Sequence, residues 1–149
     1  MLPRALLALR LEKNFPTWYR ELRPIYGPFE AGMDRFIRLD KPDFIGKAKA
    51  VEEHASGGTL RRVSFTVAAK DADVLGDEPI SYQGKVVGWV TSGGYAHYVD
   101  KSLAQGYVPR EFAGDTKKGA FEVEILGERR PATIITEPLF DPEGARMRM

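Results

Sequence analysis

The amino-acid sequence predicts a mainly β fold, an antiparallel barrel or sandwich, preceded by a helical and irregular N-terminal segment. Three observations carry this expectation. The 149-residue chain changes character near residue 58: before it the apolar spacing is helical or irregular, and after it short strand-like runs separated by glycine turns dominate. The stretch 60–68 alternates Val63, Phe65 and Val67 with Arg62, Ser64 and Thr66, the period of a strand with one buried face. Further short apolar runs follow, bounded by Gly, Asp or Pro, without the intervening helices that a βαβ sheet needs.

Each element has its own signal. Leu2, Leu6, Leu7, Leu9 and Leu11, with Ala5 and Ala8, predict a mostly buried helix, and Pro3 is tolerated because it lies in the first turn. Asn14 and Pro16 end it. Residues 18–32 hold too many prolines and glycines for one regular element and read as a loop packed by its aromatics. Asp43 is placed to cap a short helix over 47–55, which finishes before Ser56-Gly57-Gly58, a hinge-like connection. After the strand at 60–68, strands are expected over 79–83, 85–93, 120–126 and 130–136, with a tight hairpin turn at Tyr82-Gln83-Gly84-Lys85. In Val86, Val87, Trp89 and Val90 the β-branched and aromatic residues cluster as a pleated, half-buried surface requires. Ser92-Gly93-Gly94 reads as the end of that strand, followed by a short polar crossing and a second apolar stretch reaching Pro109. The last residues, 143–149, read as a loosely held tail.

Composition bounds the function. A chain of 149 residues buries roughly 68 to 70 per cent of its unfolded surface, enough for one good core or two small ones. With 22 basic and 21 acidic residues the formal charge is +1, so no global field favours nucleic acid or an anionic membrane. The absence of cysteine excludes disulfides, thiolate ligands and a thiol nucleophile. The longest apolar run is too short for a bilayer, which takes about 20 residues, and Arg4 and Arg10 interrupt the N-terminal one, so neither a membrane span nor secretion is expected.

Local motifs give little chemistry. His54 and His97 are isolated from each other and from carboxylate pairs at ligand spacing, so no metal site is expected. Asp71, Asp73, Asp77 and Glu78 lack the glycine and ligand positions of a calcium loop and read as a solvated turn. Gly93-Gly94 is followed by neither phosphate-loop pattern, and strand-to-turn geometry explains it better.

An ordered set of motifs carries a family resemblance over almost the whole chain: residues 9–13 (LRLEK), 28–32 (PFEAG), 43–47 (DFIGK), 84–88 (GKVVG), 91–93 (TSG), 106–109 (GYVP), 131–135 (PATII) and 137–139 (EPL). In sequence and spacing it resembles the C-terminal part of the folate-dependent aminomethyltransferase family, the group of the glycine-cleavage T protein. It is most similar to the folate-binding region of dimethylglycine and sarcosine dehydrogenases. The resemblance implies a Greek-key-like antiparallel barrel over 59–149, preceded over 1–58 by the last piece of an α/β folate-binding domain. It implies tetrahydrofolate as cofactor, a small methylated amine as substrate, and FAD only through an upstream flavin domain. It further implies the cytoplasm of a bacterium or the mitochondrial matrix of a eukaryote. The family's catalytic Asp lies upstream of the region matched, so the chain alone is expected not to catalyse, with a partner chain or upstream domain completing the pocket. The alternative is a non-catalytic regulatory or interaction module on the same fold.

The resemblance also nominates residues. Trp18 and Phe36 align as walls for an aromatic ring, and Arg62 aligns with an arginine implicated in contact with folate or its tail. Each has a plainer reading. Aromatics in a proline-rich loop usually plug a core. An arginine alternating with core residues points outward and is usually solvated, although a guanidinium suits a carboxylate because it donates two parallel hydrogen bonds. Glu12, within a turn of Arg10 and Lys13, reads as half of a structural ion pair, and Glu30 as a carboxylate that orients nearby backbone.

Overall fold

The computed structural model describes residues 3–148. Helix α1 spans Pro3–Glu12 and α2 spans Lys47–Ser56. The strands are β1 (Leu60–Val67), β2 (Pro79–Tyr82), β3 (Lys85–Ala96), β4 (Lys101–Pro109), β5 (Phe121–Ile125) and β6 (Glu128–Ile135). They form a closed antiparallel barrel in the order β1-β4-β3-β2-β5-β6, sealed by pairing of β6 with β1. Of the two architectures the patterning allows, the barrel is the one formed. Closure leaves no free sheet edge, so every strand finds backbone partners on both sides.

The period-2 pattern decides which side chains fill the barrel. Val63, Phe65 and Val67 point inward from β1, and Phe65 meets Phe121 of β5 edge to face at 5.3 Å. Gln83 and Gly84 take positive φ values of 49° and 80°, the mirror-image turn whose twist matches the flanking strands. The expected hairpin is therefore present between β2 and β3.

Several expectations are corrected. Ser92-Gly93-Gly94 does not end a strand: β3 continues to Ala96 and pairs with β4 from Trp89↔Tyr107 to Ala96↔Lys101, with one irregularity between Val90 and Ser92. Gly93 is there for close approach, since a Cβ on it would lie 2.6 Å from Val74, which the β1–β2 loop folds into the core. Of the polar crossing and second apolar stretch expected after Gly94, residues 97–100 form a turn and Lys101–Pro109 is strand β4, which lies between β1 and β3. It shows no hydrophobic alternation because residues 102–108 are all buried, one face by the barrel interior and the other by the N-terminal segment. Asp43 caps nothing: the residue before α2 is Gly46 at φ 90°, with no side-chain cap.

Helix α1 is also not mostly buried. Its last turn buries Arg10, Leu11 and Glu12 against the barrel, while Leu6, Leu7 and Leu9 stay exposed. The aromatic loop divides likewise: Tyr26 and Phe29 are buried, but Trp18 and Tyr19 are exposed. The tail is better held than expected, because Arg146 lies over the rings of Phe140 and Tyr98, at 5.3 and 5.8 Å from their centres.

The joint between α2 and β1 is clamped by carboxylates. Gly57 and Gly58 take φ values of 77° and 71°, and Glu30 then accepts from the backbone N–H groups of Gly27 (3.1 Å), Thr59 (2.8 Å) and Leu60 (3.0 Å). Burial alone would raise the Glu30 pKa, but these donors outweigh it and hold the carboxyl below its ordinary value of 4.5. A depressed carboxyl pKa stabilises the fold above the unfolded value and loses that effect as pH falls through the folded one. The stability advantage of the wild type over Glu30→Gln, followed by urea midpoints, is therefore expected to be full near neutrality and to shrink below about pH 4.5. A pH-independent difference would refute the assignment.

Candidate functional site

The N-terminal segment meets the barrel through a buried polar network on the outer face of β1, β4 and β3. Arg10 Nη1 donates to Glu21 Oε2 at 2.9 Å, to Gln105 Oε1 at 3.1 Å and to the Phe15 carbonyl at 3.2 Å. Glu21 is fully buried, and its Oε1 accepts from the hydroxyls of Thr91 (2.7 Å) and Ser92. Two consecutive strand residues normally face opposite ways, but the β3 ladder is irregular between Val90 and Ser92, and this bulge aims both hydroxyls at one carboxylate. Tyr107 donates to the Glu21 carbonyl at 2.8 Å and stacks on Tyr26 with ring centres 3.6 Å apart. Burial pulls the Arg10 guanidinium below the ordinary arginine range, against the opposing pull of Glu21.

Beside this network lies a groove of about 820 Å³, of the size that takes a small organic ligand. Its walls come from the segment after α1, the loop before Phe36, strand β1 and the C-terminal turn. Arg62 and Phe36 both line it, although they are far apart in the sequence; Trp18 does not. Trp18 instead stands exposed on the surface, edge-on to Tyr19 at 6.2 Å.

Arg62 does leave the outer face of β1, as the alternation requires, but the N-terminal segment covers it. Its Nε donates to the Ala31 carbonyl at 2.9 Å and its Nη1 to Asn14 Oδ1 at 3.1 Å. Burial draws its pKa down, with Tyr107 and Glu21 opposing. Asn14, Arg35 and Lys13 also line the groove. Lys13 is engaged by Asp141 at 2.9 Å, and the Arg35 guanidinium lies 4.6 Å from the centre of the Phe36 ring. The groove is thus an amphipathic trough, apolar at Phe15, Pro16 and Phe36 and cationic at Arg62 and Arg35. Such a lining suits a flat ring carrying an anionic substituent.

The expected pairing of Glu12 with Arg10 or Lys13 does not form. Arg10 reaches Glu21 and Lys13 reaches Asp141, while Glu12 is buried and accepts the Tyr98 backbone N–H at 2.9 Å. Residues two or fewer apart on a helix do not face each other. Glu30, by contrast, orients backbone as read. Sequence reasoning missed the site roles of Asn14, Glu21 and Gln105, which carry no motif; the one hint was an asparagine at the end of a helix, a residue type that tolerates the left-handed backbone found there, at φ 57°. Among the described residues no group of three or more His, Asp or Glu side chains is placed to hold a metal ion, and no helix is long and apolar enough to cross a membrane.

A six-stranded Greek-key barrel with an N-terminal segment packed on its outer face defines a class of C-terminal barrel domain. Residues 61–141 match the family model of the glycine cleavage T-protein C-terminal barrel domain, and the chain belongs to that family. It is 47% identical over 146 residues to mitochondrial dimethylglycine dehydrogenase of Mus musculus, covering 97% of this chain and 17% of that protein. It is 37% identical over 134 residues to the aminomethyltransferase of Prochlorococcus marinus (strain NATL1A), covering 89% of this chain and 35% of that one. The crystal structure of glycine cleavage system aminomethyltransferase T from Bartonella henselae superposes with a TM-score of 0.81 at 22% identity, over 93% of this chain and 38% of that chain. The chain therefore spans well under half the length of the relatives it matches.

Proposed function

We propose that this chain supplies the C-terminal wall of a tetrahydrofolate site in a one-carbon enzyme. The full activity is removal of a methyl group from a dimethylglycine- or sarcosine-type amine, or aminomethyl transfer, with tetrahydrofolate as acceptor. Residues 1–58 then belong to the folate-binding domain and 59–149 to the barrel, and FAD enters only through a separate flavin domain. The observation that carries this reading is the groove in which Arg62 and Phe36 converge: an aromatic wall beside a held guanidinium matches a heteroaromatic ring with a carboxylate tail. Relatives that are a dimethylglycine dehydrogenase and an aminomethyltransferase support the choice of reaction class. Exposed Leu6, Leu7 and Leu9 on α1 further support a covering partner chain or upstream domain, because aligned leucines are normally buried. A cytoplasmic or mitochondrial-matrix location fits this reading.

Alone, the chain is expected to bind tetrahydrofolate weakly or undetectably by calorimetry and to show no turnover, since only one wall of the pocket is present. Joined to a complete folate domain, it is expected to bind in the micromolar range, with Arg62→Met weakening affinity about tenfold, or roughly 1.4 kcal/mol. No tetrahydrofolate binding by the joined protein, together with binding of a protein partner, would establish the interaction-module reading instead. Micromolar affinity in the isolated chain would refute the assignment of missing walls.

A further inference from the structure

We propose that Asn14 is the positioning residue for Arg62, setting which edge of its guanidinium meets the ligand; this rests on the reading of the groove given above. Asn14 sits just past the end of α1 with its backbone in the left-handed region, and its side chain is a hub. Oδ1 accepts from Arg62 Nη1 at 3.1 Å, from the Ser64 hydroxyl at 2.6 Å and from Gln105 Nε2 at 3.0 Å. Three donors on one oxygen fix the orientation of the amide, since its NH2 group cannot replace the oxygen there.

That orientation is imposed from the buried ion pair. Gln105 is 1% exposed, and its Oε1 accepts from Arg10 Nη1. Arg10 has no acceptor to offer, so the Gln105 amide must turn its oxygen toward Arg10 and its NH2 toward Asn14. The Asn14 oxygen is then the partner that satisfies Gln105, and the same oxygen holds Arg62. A continuous line of hydrogen bonds thus runs from Arg10, anchored on Glu21, through Gln105 and Asn14 to Arg62.

The consequence falls on the guanidinium. Nε is held by the Ala31 carbonyl and Nη1 by Asn14, while Nη2 has no hydrogen-bond partner among the described residues. With two nitrogens held, the plane is fixed and the Nη2 end is left to a ligand oxygen. Positioning of this kind lowers the ordering cost of binding. The ligand class is a carboxylate or another anionic oxygen acceptor.

The test uses the chain joined to a complete folate domain, the form in which binding is expected, and two readouts. The first is the NMR spectrum of the Arg62 side chain, where a held guanidinium gives separate Nη resonances and a freely rotating one gives a merged signal. Separate signals are expected in the wild type and in Asn14→Asp, and merged signals in Asn14→Ala. The second is chemical-shift titration with glutarate as carboxylate probe, comparing Asn14→Ala, Asn14→Asp, Arg62→Met and Asn14→Ala/Arg62→Met. Asn14→Ala and Arg62→Met are each expected to weaken binding about tenfold, and the double variant no more than Arg62→Met alone, which marks action through Arg62. Asn14→Asp is expected to keep Arg62 held yet weaken the probe, because its carboxylate takes up the arginine's charge. A structural role alone would not separate fold from affinity in this way.

Unchanged Arg62 signals in Asn14→Ala overturn the positioning role, whatever the binding data show. If the signals merge but Arg62→Met binds the probe like wild type, the Arg62 reading itself fails, and the ligand consequence drawn from Asn14 falls with it.

Discussion

Replacing Arg10 by alanine is expected to lower the stability of the chain by about 3–5 kcal/mol, the range for removing one partner of a buried ion pair. Arg10 is 8% exposed and Glu21 0%, so the loss leaves the Glu21 carboxylate buried with only hydroxyl and amide donors. Gln105 loses its acceptor interaction at the same time, and with it the restraint on Asn14. The cost is therefore one of desolvation left uncompensated, more than of attraction lost. This distinction has its own test. Arg10→Met combined with Glu21→Gln, which removes both charges, is expected to be more stable than Arg10→Ala despite carrying two changes. Urea unfolding midpoints measure both, and a wild-type midpoint for Arg10→Ala would show that the pair is not buried in solution.

Gly106→Ala is expected to cost about 3 kcal/mol, and Gly88→Ala a similar amount, by overpacking a rigid part of the barrel. A Cβ on Gly106 would sit 2.5 Å from the Trp89 carbonyl oxygen and 2.7 Å from Ile80 Cδ1. On Gly88 it would overlap the Tyr107 carbonyl and lie 3.3 Å from the Val108 Cα. The obstruction is mostly backbone, which no rotamer change relieves, so β3 and β4 must part where Trp89 pairs with Tyr107. Because β4 also pairs with β1, the displacement reaches the strand that carries Arg62. Loss of stability is accordingly expected together with weaker ligand binding. Gly114→Ala is the control: nothing lies within 4 Å of the added carbon and its φ is not positive, so little change is expected. Equal effects at positions 106 and 114 would show that close packing is not the cause.

How much was legible depended on where each signal resides. β1 was legible because one face meets the core and the other is polar, so Val63, Phe65 and Val67 stand out against Arg62, Ser64 and Thr66. β4 was not, because Gln105 and Ser102 are buried among Leu103, Ala104 and Tyr107 and blur any alternation. Burial of α1 was misjudged for a related reason. Leucine density measures the tendency to be covered, whereas what covers a helix depends on what packs there, and among the described residues of α1 the buried ones, Arg10, Leu11 and Glu12, lie in its last turn.

The candidate site shows the same division. Arg62 could be nominated from resemblance and Glu30 from its place in a tight loop, because both rest on local sequence. Asn14, Glu21 and Gln105 could not, since their importance lies in contacts across up to 95 residues.

By itself the sequence determined the barrel's alternating strands, the hairpin turn at Gln83-Gly84 and the family, all of which depend on residues close together or on ordered motifs. Only the tertiary structure decided strand order, the length of β3, the burial of both faces of β4 and the turning of Arg62 from a solvated strand residue into a held donor in a groove. The physical reason is that side-chain period is a property of a few neighbouring residues. The fate of an outward polar group is set by whatever distant segment packs over it, and here that segment is the stretch that follows α1.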